Sequence, residues 1–154
     1  MAGLPGRGGL PAGRGLHPRW ETHHRPTAEQ FHTADIRILR HASDGVFNPA
    51  TGQTTFPPPE LVWQGRARIQ RMAQQEITRS IGDRQVVLRG ATVSIPADAP
   101  KVMISDEVRV DSYRDPNSGD PHLTGRPLWV HDIYPGSLLF QRDLAVLDAP
   151  VTNR

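Results

Sequence analysis

The sequence has no cysteine, and a single lysine, Lys101, among its 18 basic residues. Without cysteine the chain can form no disulfide and do no thiol chemistry, and it carries no mark of its redox compartment. No apolar run approaches the roughly 20 residues needed to cross a bilayer, so no transmembrane helix and no membrane partner are expected. The early arginines are not followed by an apolar segment, which argues against a secretory signal. There is no Gly-x-Ser-x-Gly elbow, no phosphate loop and no paired-carboxylate motif. His131 and Asp132 fall on opposite faces of any strand they share, so they make no dyad on their own. The expectation is a protein that is not an enzyme and uses no cofactor.

Apolar residues are also sparse, at 36% of the chain, against roughly 45 to 50% in globular domains on a count that includes glycine. With 14 Gly and 15 Pro among 154 residues, much of the chain must be turn, loop or arm. One domain with appendages suits this length. The net charge of +2 is unevenly placed. Residues 1–28 carry Arg7, Arg14, Arg19 and Arg25 against Glu21, giving +3 and leaving −1 for the rest. The preference for arginine fits bidentate carboxylate and phosphate contacts; a GC-rich coding sequence gives the same bias.

Seven histidines are present: His17, His23, His24, His32, His41, His122 and His131. A zinc site needs three or four ligands at paired short spacings, and these are scattered, so no metal is expected. The segment 115–126, DPNSGDPHLTGR, resembles a calcium loop only superficially. Asp120 stands where such a loop needs glycine, and Arg126 where it needs a bidentate glutamate.

What is present is a series of short strand patterns. Residues 1–26 are broken by glycine and proline every few positions and read as a flexible arm. Its isolated apolar residues, Leu4, Leu10, Leu16 and Trp20, either serve as anchors on another subunit or are incidental to a disordered start. Thr27 and Gln30 form a capping box that predicts a short helix from Ala28 to about Thr33. Asp35–Arg40 reads as a first strand with Ile36 and Ile38 on one face. Residues 41–60 are long, polar and rich in turn formers, with Asp44-Gly45 and Thr51-Gly52 suited to tight turns and Pro57–Pro59 to an extended exit. Such a loop suits a projecting hairpin or flap.

Val62–Gln70 alternates Trp63, Gly65, Ala67 and Ile69 against Gln64, Arg66, Arg68 and Gln70, a one-sided strand. An oligonucleotide-binding barrel would interleave basic and exposed aromatic residues on one face. Here the alternation separates Trp63 from the arginines, which favours a core tryptophan. Residues 71–83 read as a polar crossing, with a strand around Ile77 as the alternative, and Arg84–Ile95 as an apolar strand with a bulge at Gly90. From Asp106 to Asp148, three apolar runs make an antiparallel meander: Val108 and Val110; Leu128, Val130 and Ile133; Leu138, Phe140, Leu144 and Val146. In the first of these Glu107, Arg109 and Asp111 take the wet face. Strands at this spacing, with little helix, indicate an all-β barrel or sandwich.

The succession ADIRILR, VFNPATGQTT, LVWQGRARIQ, DRQVVLRGATVSIP, ISDEVRVD and LTGRPLWVHDIYPGSLLFQRDLAVLD resembles the small head-to-tail connector proteins of tailed bacteriophages. The resemblance is to the head-completion or stopper group and to structural proteins of actinobacterial phages. It covers about residues 30–148, and GR-x-L-x-V-x-D-I, from Gly125 to Ile133, is its most telling part. It implies a small antiparallel β-barrel. With the readings above, the expected fold is all-β: a barrel domain (27–150) with a short N-terminal helix, an extended arm (1–26) that departs from the shortest relatives, and a long projecting loop (41–60). The resemblance also implies a homo-oligomeric ring in the virion neck, assembled in the host cytoplasm. Such a ring would sit between portal or adaptor and tail terminator or tube, retaining packaged DNA and docking the tail. By chain order, Asp44, Phe47, Asn48, Thr51, Gln53 and Phe56 fall on the loop that would gate the channel. A tail terminator or other neck component shares the pattern, and a nucleic-acid-binding barrel is the alternative outside this class.

Overall fold

A computed structural model describes residues 19–81, 84–134 and 140–150, leaving aside the side chains of residues 72–89. Its centre is a closed six-stranded antiparallel barrel, mostly β with one short N-terminal helix. The barrel strands are β1 (Ala34–Arg40), β4 (Glu60–Ile81), β5 (Arg84–Pro96), β6 (Glu107–Tyr113), β7 (Pro127–Ile133) and β8 (Gln141–Leu147), in the order β1-β4-β5-β8-β7-β6. A separate hairpin pairs β2 (Val46–Asn48) with β3 (Gln53–Thr55).

Closure follows from alternation. Ile36 and Ile38, Val93 and Ile95, Val108 and Val110, Leu128 and Val130, and Leu144 and Val146 all point into one buried cluster, with Ala67 from β4. These positions are mostly β-branched, side chains that fit a pleated surface and stiffen it. With six strands the barrel is narrower than the eight-stranded size at which side chains just fill the interior. It is therefore a packed core and not a pore. Trp63 is half-buried against this core, and its ring lies so close over Gly65 that a Cβ there would meet it at 2.5 Å. The meander β6-β7-β8 forms as the sequence predicts. Phe140 lies just before β8 and packs on the helix, while Leu138 lies outside the described residues.

Three expectations are corrected. The helix is α1, Trp20–Gln30, not 28–33. Arg19 holds the N-cap without a side-chain hydrogen bond, Thr27 sits within the helix, and Pro26 is tolerated in its interior. A capping box stabilises by only about 1 kcal/mol, and here the contact of Trp20 with the barrel wall decides where the helix begins. Residues 20–26 are thus helix, and α1 runs across the arm boundary placed at 26. Second, of the two readings of 71–83 the strand around Ile77 holds and the crossing does not: residues 71–81 continue β4 to a length of 22 residues. Third, the irregularity near Gly90 belongs to β4. The extra residues lie between Arg71 and Glu76, while Gly90 keeps its pairing with Leu147.

The length of β4 produces a second projection. β1 pairs with β4 only over Glu60–Ala67, and β8 pairs with β5 only from Gly90 onward. Residues 76–81 and 84–89 consequently pair with each other alone, as a two-stranded ribbon about 20 Å long. Because Arg40 pairs with Glu60, the hairpin β2–β3 leaves from the start of β4, and the ribbon extends from its far end.

At the hairpin tip, Asn48 accepts from the backbone N–H of Thr51 (3.3 Å) and Gly52 (2.9 Å) through its carbonyl, and from that of Ala50 (3.0 Å) through Oδ1. Gly52 has φ +65 with open space around a Cβ position. Gly52→Ala should therefore cost about 1 kcal/mol of hairpin stability from backbone strain alone. Amide exchange should accelerate in β2 and β3 and stay unchanged in the barrel strands.

Candidate functional site

The barrel end at the start of β4 gathers two described connections, 41–59 between β1 and β4 and 97–106 between β5 and β6, with Tyr134, just after β7, and Gln141, at the start of β8, beside them. The second is folded down as a plug, with Ala97, Ala99 and Val102 buried. Arg142 holds it by donating to the carbonyls of Ala97 (3.4 Å), Ala99 (3.2 Å) and Pro100 (2.9 Å).

The root of the flap is tied to two buried carboxylates. Asp106, 2% exposed, accepts both Nε and Nη2 of Arg40 at 2.8 Å and the Met103 N–H at 2.8 Å. Ser105, at φ 75, sets up this turn and donates its N–H to the Val130 carbonyl at 2.8 Å. Glu107, 1% exposed, bonds His41 Nε2 and accepts Arg109 Nε, and the His41 ring packs beside Trp129. The wet-face expectation for Glu107 is thereby corrected: β6 alternates as predicted, but side chains at the flap root cover this position. Burial pushes the Glu107 carboxyl up, and the hydrogen bonds from Arg109 and His41 outweigh it, so the group titrates below the usual carboxylate range. Arg40 and His41, where β1 gives way to the flap, are thus held by the first two residues of the β6 side.

Beyond this root the hairpin stands free, with every residue of β2 and β3 exposed. Its register puts Phe47 opposite Thr54, and the Phe56 ring lies against Gly45. Strand alternation then places Phe47 and Phe56 on one face, 60% and 59% exposed. The other candidates divide by role. Asn48 and Thr51 build the turn, whereas Asp44 and Gln53 are exposed, Gln53 on the face away from the phenylalanines. Leu61, Met103, Ile104 and Tyr134 are exposed at or beside the same end. Of the eight large exposed hydrophobics among the described residues, only Phe31 lies elsewhere.

The proposed arm anchors separate. Leu4, Leu10 and Leu16 lie outside the described residues. Trp20 meets His24 at 4.0 Å and the edge of Phe140 at 5.6 Å, so it fastens α1 to its own barrel. A cleft of about 320 Å³ between α1 and the wall is lined by Trp20, Phe31, Arg68 and Phe140, with the Arg68 guanidinium 5.5 Å from the Phe31 ring centre. Just after α1, His32 is buried with neither ring nitrogen hydrogen-bonded. Burial and, more weakly, Arg68 push its imidazole below the ordinary value, against the opposing pull of Glu29 and Asp143.

His32 and Glu107 both bind fewer protons folded than unfolded. Their contribution is complete above the ordinary values of about 6.5 and 4.3 and is lost as pH falls through the lower folded values. The urea midpoint should therefore fall between pH 7 and pH 5, and further below pH 4. His32→Leu should flatten the first step; a midpoint unchanged from pH 7 to pH 5 would contradict the assignment.

Among the described residues no group of three or more His, Asp or Glu could hold a metal. The carboxylates of segment 115–126 serve its own backbone: Asp115 accepts from the Asn117 N–H, and Asp120 from the His122 N–H, each at 2.9 Å. Sequence reasoning missed the Arg40–Asp106 and His41–Glu107 pairs and the continuation of β4 into the ribbon. The signals were an acidic pair directly before Val108, and the uninterrupted run of β4 without proline or glycine after Gly65.

No curated protein and no solved structure matches the chain. Residues 24–147, from within α1 to the end of β8, match a family of unknown function, DUF6093. With most of its length inside that match, the chain belongs to the DUF6093 family.

Proposed function

We propose that the protein is a ring-forming connector of a tailed-phage neck, seated between portal or adaptor and tail, where it retains packaged DNA and docks the tail. The observation that carries this reading is the flap: a hairpin exposed on both faces, held rigidly at its root by Asp106 and Glu107, and presenting Phe47 and Phe56 outward. An isolated two-stranded hairpin is marginal in water, so apolar side chains at its surface favour a partner. The ribbon at the far end of β4 offers a second contact in the opposite direction, which suits a part lying between two others. The packed barrel core has no room for DNA, so the passage belongs to the lumen of a ring of copies. A body near neutral charge suits such a lumen, because a strongly basic wall would hold phosphates through counterion release.

Replacing residues 43–58 by a short Gly-Ser turn in the parent phage should leave heads that fill and then lose their DNA. Full retention of DNA in those heads would remove the gating role. The isolated protein should show little salt-dependent affinity for duplex DNA; a steep salt dependence would favour a nucleic-acid-binding barrel instead.

A further inference from the structure

We infer that the arm of one copy docks on the flap-bearing end of a neighbouring copy, resting on the ring reading above and naming the contact that closes it. The acceptor has two properties. It is apolar, with Val46, Phe47, Phe56, Leu61, Met103 and Ile104 exposed within a single copy. It is also acidic: Asp44, Glu60, Asp98 and Asp132 lie at that end. There Arg40 is held on Asp106 with Glu60 nearby, Arg109 on Glu107 and Arg142 on loop carbonyls, leaving Lys101. Among the described residues Asp44, Asp98 and Asp132 have no ion-pair partner.

Residues 1–18 supply the complement. They contain Leu4, Leu10 and Leu16, the cations Arg7 and Arg14, and no acidic residue. The segment is a near-duplication, GLPGRG at 3–8 followed by GLPAGRG at 9–15, so a Leu-Pro anchor with an arginine three or four residues on occurs twice. Extended, eighteen residues reach on the order of 60 Å, more than the roughly 40 Å breadth of a domain this size. The arm is therefore long enough to leave its own barrel. Its leucines cover apolar side chains, and its arginines meet Asp44 and Asp98, carboxylates with no cation paired to them among the described residues. A contact between unlike surfaces of identical chains is heterologous, and it closes into a ring when the rotation between copies allows.

The absence of cysteine makes the test direct, since each introduced thiol is unique. Full chain carrying Leu10→Cys would be mixed under oxidation with full chain carrying Phe47→Cys, and separately with chain carrying Asn117→Cys, which sits on the exposed 114–126 turn at the opposite barrel end. The expected result is a disulfide-linked dimer of the first pair forming at least about tenfold faster than that of the second, given a docked effective concentration near the millimolar range. Arg7→Glu with Arg14→Glu should suppress the link, and Asp44→Lys with Asp98→Lys on the Phe47→Cys partner should restore it. Equal rates with Phe47→Cys and Asn117→Cys would overturn the proposal. So would preferential closure within one chain of the Leu10→Cys/Phe47→Cys double variant, which would put the arm on its own barrel. Rings seen by electron microscopy without the cross-link would end this contact and leave the connector reading standing.

Discussion

Arg40→Ala should lower the stability of the protein by about 3 kcal/mol, the low end of the cost of stranding one member of a buried ion pair. The low end applies because Arg40 keeps 32% of its side chain in water while Asp106 keeps 2%. What remains is a carboxylate with one backbone donor, the Met103 N–H, and no cation. At about 2 to 4 °C per kcal/mol for a chain of this size, the melting temperature should fall by roughly 6 to 12 °C. Adding Asp106→Ala should restore part of the loss, a coupling of at least about 1 kcal/mol, because contacting charges are not additive. The functional consequence concerns the flap. With Arg40 gone, one of its two root ties is lost, and proteases should cut within 41–60 faster at pH 7 while the barrel strands stay resistant. A melting point unchanged within 1 °C would mean that Asp106 is not the anchor.

Leu144→Ala should cost about 3 kcal/mol, within the range for truncating a fully buried leucine. Leu144 is 0% exposed on β8, opposite Val93 of β5 on one side and Ile133 of β7 on the other. A cavity there weakens three strands at the same layer. Chemical denaturation should show a lower midpoint with an unchanged slope. A loss under 1 kcal/mol would indicate that the barrel interior is not packed there. Phe47→Ala, on the exposed hairpin, should change stability by no more than about 0.5 kcal/mol. That contrast separates residues that hold the fold from residues placed to touch a partner.

The barrel was legible because its signal is local. In β1, β6, β7 and β8 isoleucine, valine and leucine recur at every second position, and nothing but a sheet buries them together. The flap was legible from its turn chemistry, and Thr51-Gly52 sits at the hairpin tip as expected, with Asn48 capping the turn. What escaped depends on residues far apart in the chain. Glu107 is polar at a position that alternation makes wet, and only the return of His41 beneath the flap buries it. Trp20 belongs by composition to the arm, and only its contact with Phe140 turns residues 20–26 into helix. The ribbon was legible only as a strand around Ile77; that this strand is the same one as Val62–Gln70 depends on β5 pairing with it over its whole length.

Cryo-electron microscopy of the virion neck tests the connector reading most directly. The account predicts density for several copies of this barrel in a closed ring between portal and tail, each flap rooted at Arg40 and His41 and each ribbon directed the opposite way. A neck in which every ring is built by other chains, or one in which this barrel occurs singly and off the channel axis, would contradict it.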